Sequence, residues 1–357
     1  MKEGEVINGY KLLMDGTTAG GGMCQWTFAK KGGKEYFLKE FLSPVFPVEG
    51  SPGSEKLKEK RRLQCKIFED HHQKIRKELE GKIGVGGSIV ITLDFFRHKS
   101  KYYKVTEKID VSSLSLEDIS SLGGHNKMLL LRTVAFSLKQ LHNTGIVHGD
   151  LKPDNILIKK TEAKTFTSKL IDFDNSYFTG NPPEINDDED IVGTTTYYSP
   201  ELLQYVRRSS ETKPESLTVK SDIYALGLIF CQYLSGDLPV FSKEKYTYAC
   251  VASLNGESLS VNAKVTKAEL RDLLNKMLET DPARRPDINE IHKALLSISF
   301  EDISKSVVSE VKKGTSLKGT LVRKKMSKSR FDGPADEKVI TPVPESRLKG
   351  SLVKKKV

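Results

Sequence analysis

Two short polar segments, each tied to an apolar stretch, constrain this chain more than any other feature. The first is His148-Gly149-Asp150-Leu151-Lys152-Pro153-Asp154-Asn155, which runs directly into strand-like residues 156–158. The second is Asp172-Phe173-Asp174, which follows strand-like residues 170–171. If the two strands pair, Asn155 at the start of one lies near Asp172 at the end of the other. Mg²⁺ prefers oxygen ligands and takes only a few from protein, with water and phosphate completing its shell. Asn155 and Asp172 suit that role. Asp150 and Lys152, on the preceding loop, add a carboxylate that can accept a proton and an ammonium that can offset anionic charge.

The surrounding pattern divides the chain. The opening third is strand-like: residues 10–14, 26–30 and 36–41 are short and apolar, and Lys-Lys-Gly-Gly-Lys between the last two reads as a hairpin connection. Residues 56–82 turn helical, with Phe68, Ile75, Leu79 and Ile83 at helix spacing among dense charge. Residues 89–96 and 102–108 return to strand character. The remainder is mostly helical. Leu131, Val134, Ala135, Leu138 and Leu141 trace one helix face, and residues 222–234 are apolar nearly all round, as in a helix buried at a domain centre. Thr266 and Glu269 form a capping-box pattern ahead of Leu270, Leu273 and Leu274. A small sheet-plus-helix lobe joined to a larger helical one is expected to leave a ligand cleft at the junction.

Charge is distributed unevenly. The whole chain carries 57 Lys and Arg against 47 Asp and Glu. Residues 312–357 alone hold 14 basic and four acidic side chains, which leaves residues 1–311 with 43 of each sign. This tail contains one aromatic, Phe331, and cannot bury enough apolar surface to offset its ordering entropy, so it is expected to be largely disordered. Within it SLKGTLVRKK (316–325) is echoed by RLKGSLVKKK (347–356). The segment reads either as a solvated basic repeat or as a docking module for an acidic partner: nucleic acid, anionic lipid or an acidic protein. No run of apolar residues is long enough for a membrane span, and the first residues lack a signal-peptide core. A cytoplasmic protein without a transmembrane segment is expected. Cys24, Cys65, Cys231 and Cys250 show no CxxC spacing and read as reduced core thiols.

With these residues in view, the sequence resembles the eukaryotic-type protein kinases. His148–Asn155 is similar to their catalytic loop, and Ile171-Asp172-Phe173-Asp174 to their DFG segment. Gly193-Thr194-Thr195-Thr196-Tyr197-Tyr198-Ser199-Pro200-Glu201 resembles the GTxxYxAPE end of the activation segment. Residues 221–227 (SDIYALG) resemble the start of the buried central helix, and Asp281-Pro282-Ala283-Arg284-Arg285-Pro286 the DPxxRP box. The motifs keep the family's order over residues 8–298. The resemblance implies an α+β, bilobal protein-kinase-like fold, with an N-lobe of small antiparallel β-sheet plus helix and a mainly helical C-lobe. The kinase domain is expected at 1–300 (lobes 1–108 and 109–300), with the basic tail at 301–357.

The resemblance also implies roles. Asp150 is the expected catalytic aspartate and Lys152 its phosphate-neutralising partner; Asn155 and Asp172 are the expected Mg²⁺ ligands. Lys39 matches the lysine that holds the ATP phosphates. Gly20, Gly21 and Gly22 match the phosphate-covering loop, although Gln25 stands where its third glycine belongs. Residues 107–110, beginning at Glu107, form the hinge against the adenine, with Thr106 as gatekeeper and Leu157 beneath the base. Asp222 supports the catalytic loop, and Glu201 pairs with Arg285. For the helix carboxylate that holds Lys39, Glu69 is the first choice and Glu78 the other. Gly149 replaces the arginine of the usual HRD, which implies weak dependence on activation-segment phosphorylation. Asp174 replaces the DFG glycine and either restricts that loop or adds a metal contact. The function implied is a Ser/Thr protein kinase that moves the γ-phosphate of Mg-ATP to protein hydroxyls, its own included. The alternatives are a nucleotide-binding pseudokinase scaffold and a small-molecule kinase of the aminoglycoside-phosphotransferase type.

Overall fold

Strand pairing in the first hundred residues is set by turns the sequence marks plainly. In the computed structural model, which describes residues 1–19, 24–84, 87–109, 113–163, 165–184, 195–209 and 212–299, β3 (Cys24–Lys31) and β4 (Lys34–Phe41) pair antiparallel from Cys24↔Phe41 to Lys31↔Lys34. That leaves Gly32 and Gly33 as a two-residue turn. Both have positive φ, 58° and 80°, the geometry that matches the twist of paired strands and that glycine adopts without strain. Ahead of them lie β1 (Val6–Ile7) and β2 (Tyr10–Leu12); after them, β5 (Thr92–His98) and β6 (Lys101–Glu107) form a second hairpin. The sheet order is β1-β2-β3-β4-β6-β5.

Each sheet face has its own core. Ile7, Tyr10, Leu12, Ala29, Leu38, Tyr103 and Val105 gather on one face, while Cys24, Phe41, Cys65, Phe95 and Tyr102 gather on the other. Helix α1 (Glu55–Lys82) covers the second face with Cys65, His72, Ile75 and Leu79, and Ser54 caps its start by accepting from the Leu57 N–H. Because side chains alternate along a strand and Lys39 lies opposite Lys104 in the β4–β6 register, both lysines share the face that α1 covers.

Beyond Glu107 most of the described elements are helices. In order come α2 (Leu116–Ser121), α3 (Gly124–His142), β7 (Ile146–Val147), β8 (Ile156–Lys160), β9 (Phe166–Leu170), β10 (Tyr177–Phe178), α4 (Pro200–Val206), α5 (Lys220–Ser235), α6 (Ala249–Leu254), α7 (Ala268–Met277) and α8 (Ile288–Ser297). Thirteen of the sixteen residues of α5 are buried, in accord with its nearly continuous apolar sequence, and Gly236 ends the helix at φ 85°. The expected capping box at Thr266 and Glu269 does not form. The cap of α7 is Lys267, so Thr266 lies one residue too early to reach the helix amides. Capping boxes stand instead at Ser115/Asp118 and Asp287/Glu290. All four cysteines are free and buried. The sheet and the helices belong to one compact unit, and the expected division at residues 108 and 109 falls just after β6. The basic tail from 301 onward lies outside the described residues.

Candidate active site

Pairing of β8 with β9 builds the centre of the site. The ladder runs from Ile156↔Leu170 to Lys160↔Phe166, and the Ile171 N–H donates to the Asn155 carbonyl at 3.0 Å. Asn155 and Asp172 therefore leave adjacent strand ends side by side. Asp172 adopts φ 62°, a left-handed conformation that aspartate tolerates better than most residues. It keeps about a third of its side chain exposed (36%).

The loop ahead of β8 is held from below. Asp222 on α5 accepts from the His148 N–H at 2.7 Å, the Gly149 N–H at 3.2 Å and the His142 ring at 2.9 Å. His148 Nε2 donates to the Ile171 carbonyl at 3.0 Å, which leaves Nδ1 to accept the Asp150 N–H at 3.4 Å. The Ser176 hydroxyl donates to the His148 carbonyl at 2.9 Å, and β10 pairs with β7, so the segment after Asp174 is fastened to the same loop. On this support the Asp150 carboxylate accepts from Lys152 Nζ at 2.8 Å and from Asn155 Nδ2 at 3.3 Å. Asn155 Nδ2 also donates to the Asp150 carbonyl at 2.7 Å, which leaves Oδ1 as the free end of that buried amide.

Gly149 has a steric explanation. Its φ is 78°, and a Cβ there would sit 2.2 Å from the Asn175 carbonyl oxygen. No side chain fits, the arginine of the usual HRD included. Gly149→Ala is expected to cost about 1–3 kcal/mol from backbone strain alone, read as a lower urea midpoint. An unchanged midpoint would mean that the loop relaxes freely.

From the sheet side, Lys39 Nζ donates to Asp172 Oδ1 at 2.8 Å and to Asp174 Oδ2 at 2.7 Å. Lys104 Nζ donates to Asp174 Oδ1 and stands 3.8 Å from Asp172 Oδ1. Burial alone would lower the Lys39 ammonium, but the Asp174 and Asp172 carboxylates outweigh it and raise its pKa. Burial would likewise raise Asp174, yet Lys104 and Lys39 hold it well below the usual carboxylate range.

The structure corrects one expected site residue. Glu69 does not pair with Lys39: its carboxylate accepts from the Tyr102 hydroxyl at 2.5 Å and lies 4.0 Å from Arg97. Glu78 bonds Lys82 on its own helix. His72, one turn beyond Glu69 along α1, is the buried helix side chain that feels the charges of Lys104, Lys39 and Asp174. His72 packs against Phe41, Phe68 and Phe95. Burial pushes its pKa down to about 3, and the ring is neutral near pH 7. An unfolded chain takes up this proton near pH 6.5, so between about pH 6.5 and 3 it binds more protons than the folded state. Stability should therefore fall as pH drops through that window, by up to about 1.4 kcal/mol per pH unit. Urea midpoints at about pH 7, 6 and 5 test this. His72→Phe should shrink the slope without abolishing it, because burial also depresses His71.

Other expected residues fall as follows. The Glu107 carboxylate accepts from Lys169 Nζ at 2.7 Å, and the residue pairs with Tyr36 at the end of the β4–β6 ladder. Leu157 lies opposite Lys169 on β8. Glu201 and Arg285 form a buried bidentate pair at 2.7 and 2.9 Å. Gly20, Gly21, Gly22, Asp110 and Thr194 lie outside the described residues. Sequence reading passed over Lys104 and His72. The alternation of Tyr102, Lys104 and Thr106 gave a face for Lys104, but only strand register gave its neighbour.

A two-lobed fold with a lysine from the sheet reaching an aspartate beside a His-x-Asp loop defines a class of phosphoryl-transfer fold. The chain belongs to the protein kinase domain family, whose model matches residues 56–296. That match begins at the second residue of α1, so the strands carrying Lys39 are assigned by geometry. Among curated relatives, the Drosophila melanogaster ovarian-specific serine/threonine-protein kinase Lok is 32% identical over 213 residues, covering 57% of this chain and 39% of that protein. Human serine/threonine-protein kinase Kist is 29% identical over 263 residues, 70% of this chain and 57% of that protein. Caenorhabditis elegans serine/threonine-protein kinase dkf-1 is 28% identical over 241 residues, 66% of this chain and 29% of that protein. The chain thus matches between under a third and somewhat over half of the length of these relatives.

Proposed function

We propose that this protein is a Ser/Thr protein kinase that transfers the γ-phosphate of ATP to protein hydroxyls, its own included. The observation that carries the reading is the Asp150 carboxylate, held by Lys152 and Asn155 beside the Lys39–Asp172 ion pair. The names of the relatives agree with it. Asn155 Oδ1 and the partly exposed Asp172 carboxylate are hard oxygen donors on neighbouring strand ends and fit Mg²⁺, which asks little more of a protein when phosphate and water complete its shell. Bound there, Mg²⁺ would neutralise phosphate charge.

Phosphoryl transfer depends chiefly on positioning and electrostatics. Asp150 orients the acceptor hydroxyl and takes its proton, while Lys152 offsets charge on the transferred group. Lys39 holds the nucleotide phosphates, and Leu157 and the Glu107 backbone line the adenine. A cytoplasmic location and an acidic partner for residues 312–357 belong to the same reading; among the described residues no helix is long and apolar enough to cross a membrane.

The test is incubation with Mg²⁺ and γ-labelled ATP alongside generic protein acceptors and small alcohols. Label on protein Ser or Thr is expected. Label on the alcohols alone would replace the proposal with a small-molecule kinase, and nucleotide binding without transfer would replace it with a scaffold.

A further inference from the structure

Lys39 and Lys104 are buried cross-strand neighbours, 7% and 5% exposed. Two ammonium groups that close and that shielded from water need a counter-charge. No carboxylate of helix α1 pairs with either lysine, and His72 on its buried face is uncharged. The carboxylates that meet them come from the loop after β9, and the two differ. Asp174 spends one oxygen on each lysine, Oδ2 on Lys39 and Oδ1 on Lys104, and its side chain is 15% exposed. Asp172 approaches both lysines with Oδ1 alone and stands at the more open edge, 36% exposed.

The geometry points to Asp174 as the positioning carboxylate of the nucleotide site: it clamps Lys39 to Lys104 from the metal-side loop, makes a carboxylate from α1 unnecessary, and leaves Asp172 available to a divalent cation. The inference rests on the kinase reading. Lys39, Lys104 and Asp174 together carry one net positive charge, suited to nucleotide phosphates. The lysines are thereby set by the loop that carries the metal-side aspartate, and their alignment does not require α1 to bring in a charge of its own.

Without Asp174, both lysines would turn to Asp172 and compete with the cation for it. The experiment measures ADP affinity calorimetrically on the full chain, with MgCl₂ and with EDTA. The wild type should bind ADP more tightly in Mg²⁺. In Asp174→Asn that gain should fall by about tenfold, with affinity in EDTA unchanged or higher and turnover reduced. Lys104→Met/Asp174→Asn removes the two charges as a pair and guards against misfolding; the gain should be lost there too, since Asp172 becomes the sole partner of Lys39. Adding His72→Glu to Asp174→Asn places a carboxylate on α1 where the charges of the same lysines are felt and should recover both the gain and turnover. An undiminished Mg²⁺ gain in a folded Asp174→Asn protein overturns the inference, as does failure of His72→Glu to restore it in a protein that melts like the wild type. A wild type with equal ADP affinity in Mg²⁺ and EDTA overturns the kinase reading itself, which sets the two failures apart.

Discussion

Asp150→Asn should lower protein phosphorylation by about a thousandfold while leaving ADP affinity within about threefold of the wild type. The substitution keeps the size of the side chain and an oxygen to accept from Lys152, so the loop stays in place. It removes the carboxylate proposed to take the hydroxyl proton, and positioned proton transfer accounts for roughly a hundred- to ten-thousandfold of rate. Nucleotide binding should survive because Lys39 and its carboxylates do not touch the Asp150 side chain. Initial-rate assays with calorimetric ADP binding measure both quantities. Wild-type turnover in the variant would remove Asp150 from the mechanism; loss of ADP binding would mean that Asp150 shapes the nucleotide site.

The largest effect on stability is expected at Arg285, far from the chemistry. Its side chain is fully buried, and all five N–H donors are used. Two go to Glu201 at 2.7 and 2.9 Å, and three go to the carbonyls of Glu279, Lys220 and Thr280 at 2.7, 2.9 and 2.9 Å. Glu201 also accepts from Ser221 at 2.9 Å. Arg285→Ala strands a buried carboxylate and three carbonyls, a loss of about 3–5 kcal/mol. In a domain this large it should lower the melting midpoint by roughly 10 °C. Removing both charges in Glu201→Leu/Arg285→Met should cost less than Arg285→Ala alone, since neither charge is left unpaired. The reverse order in calorimetric melts would show that the pair contributes through its attraction rather than through the penalty for breaking it.

Legibility in the sequence follows contact range. The hairpin at Gly32 and Gly33, the buried α5 and the loop from His148 to Asn155 are local: turn chemistry, periodicity or a few covalent bonds fix them. The Asn155–Asp172 approach was also readable, because two short strands with a short connection have one simple way to pair. Glu69 failed for the opposite reason. Helical periodicity gives the face a residue occupies but not where the helix slides along the sheet, and Glu69 came to rest against Tyr102 while His72, one turn on, packs among Phe41, Phe68 and Phe95. The Thr266 cap failed by one residue, a distance that propensity does not resolve.

The sequence by itself therefore determined the family, the two-lobed plan and the polar groups of the loop from His148 to Asn155, since each of these is written within a few residues of chain. Tertiary structure decided which charges face one another. Lys39 and Asp174 lie 135 residues apart, and Lys104 and Asp174 lie 70 apart. Such pairs depend on strand register and on how one lobe closes over the other, and a buried ammonium takes whichever carboxylate the packing brings within reach.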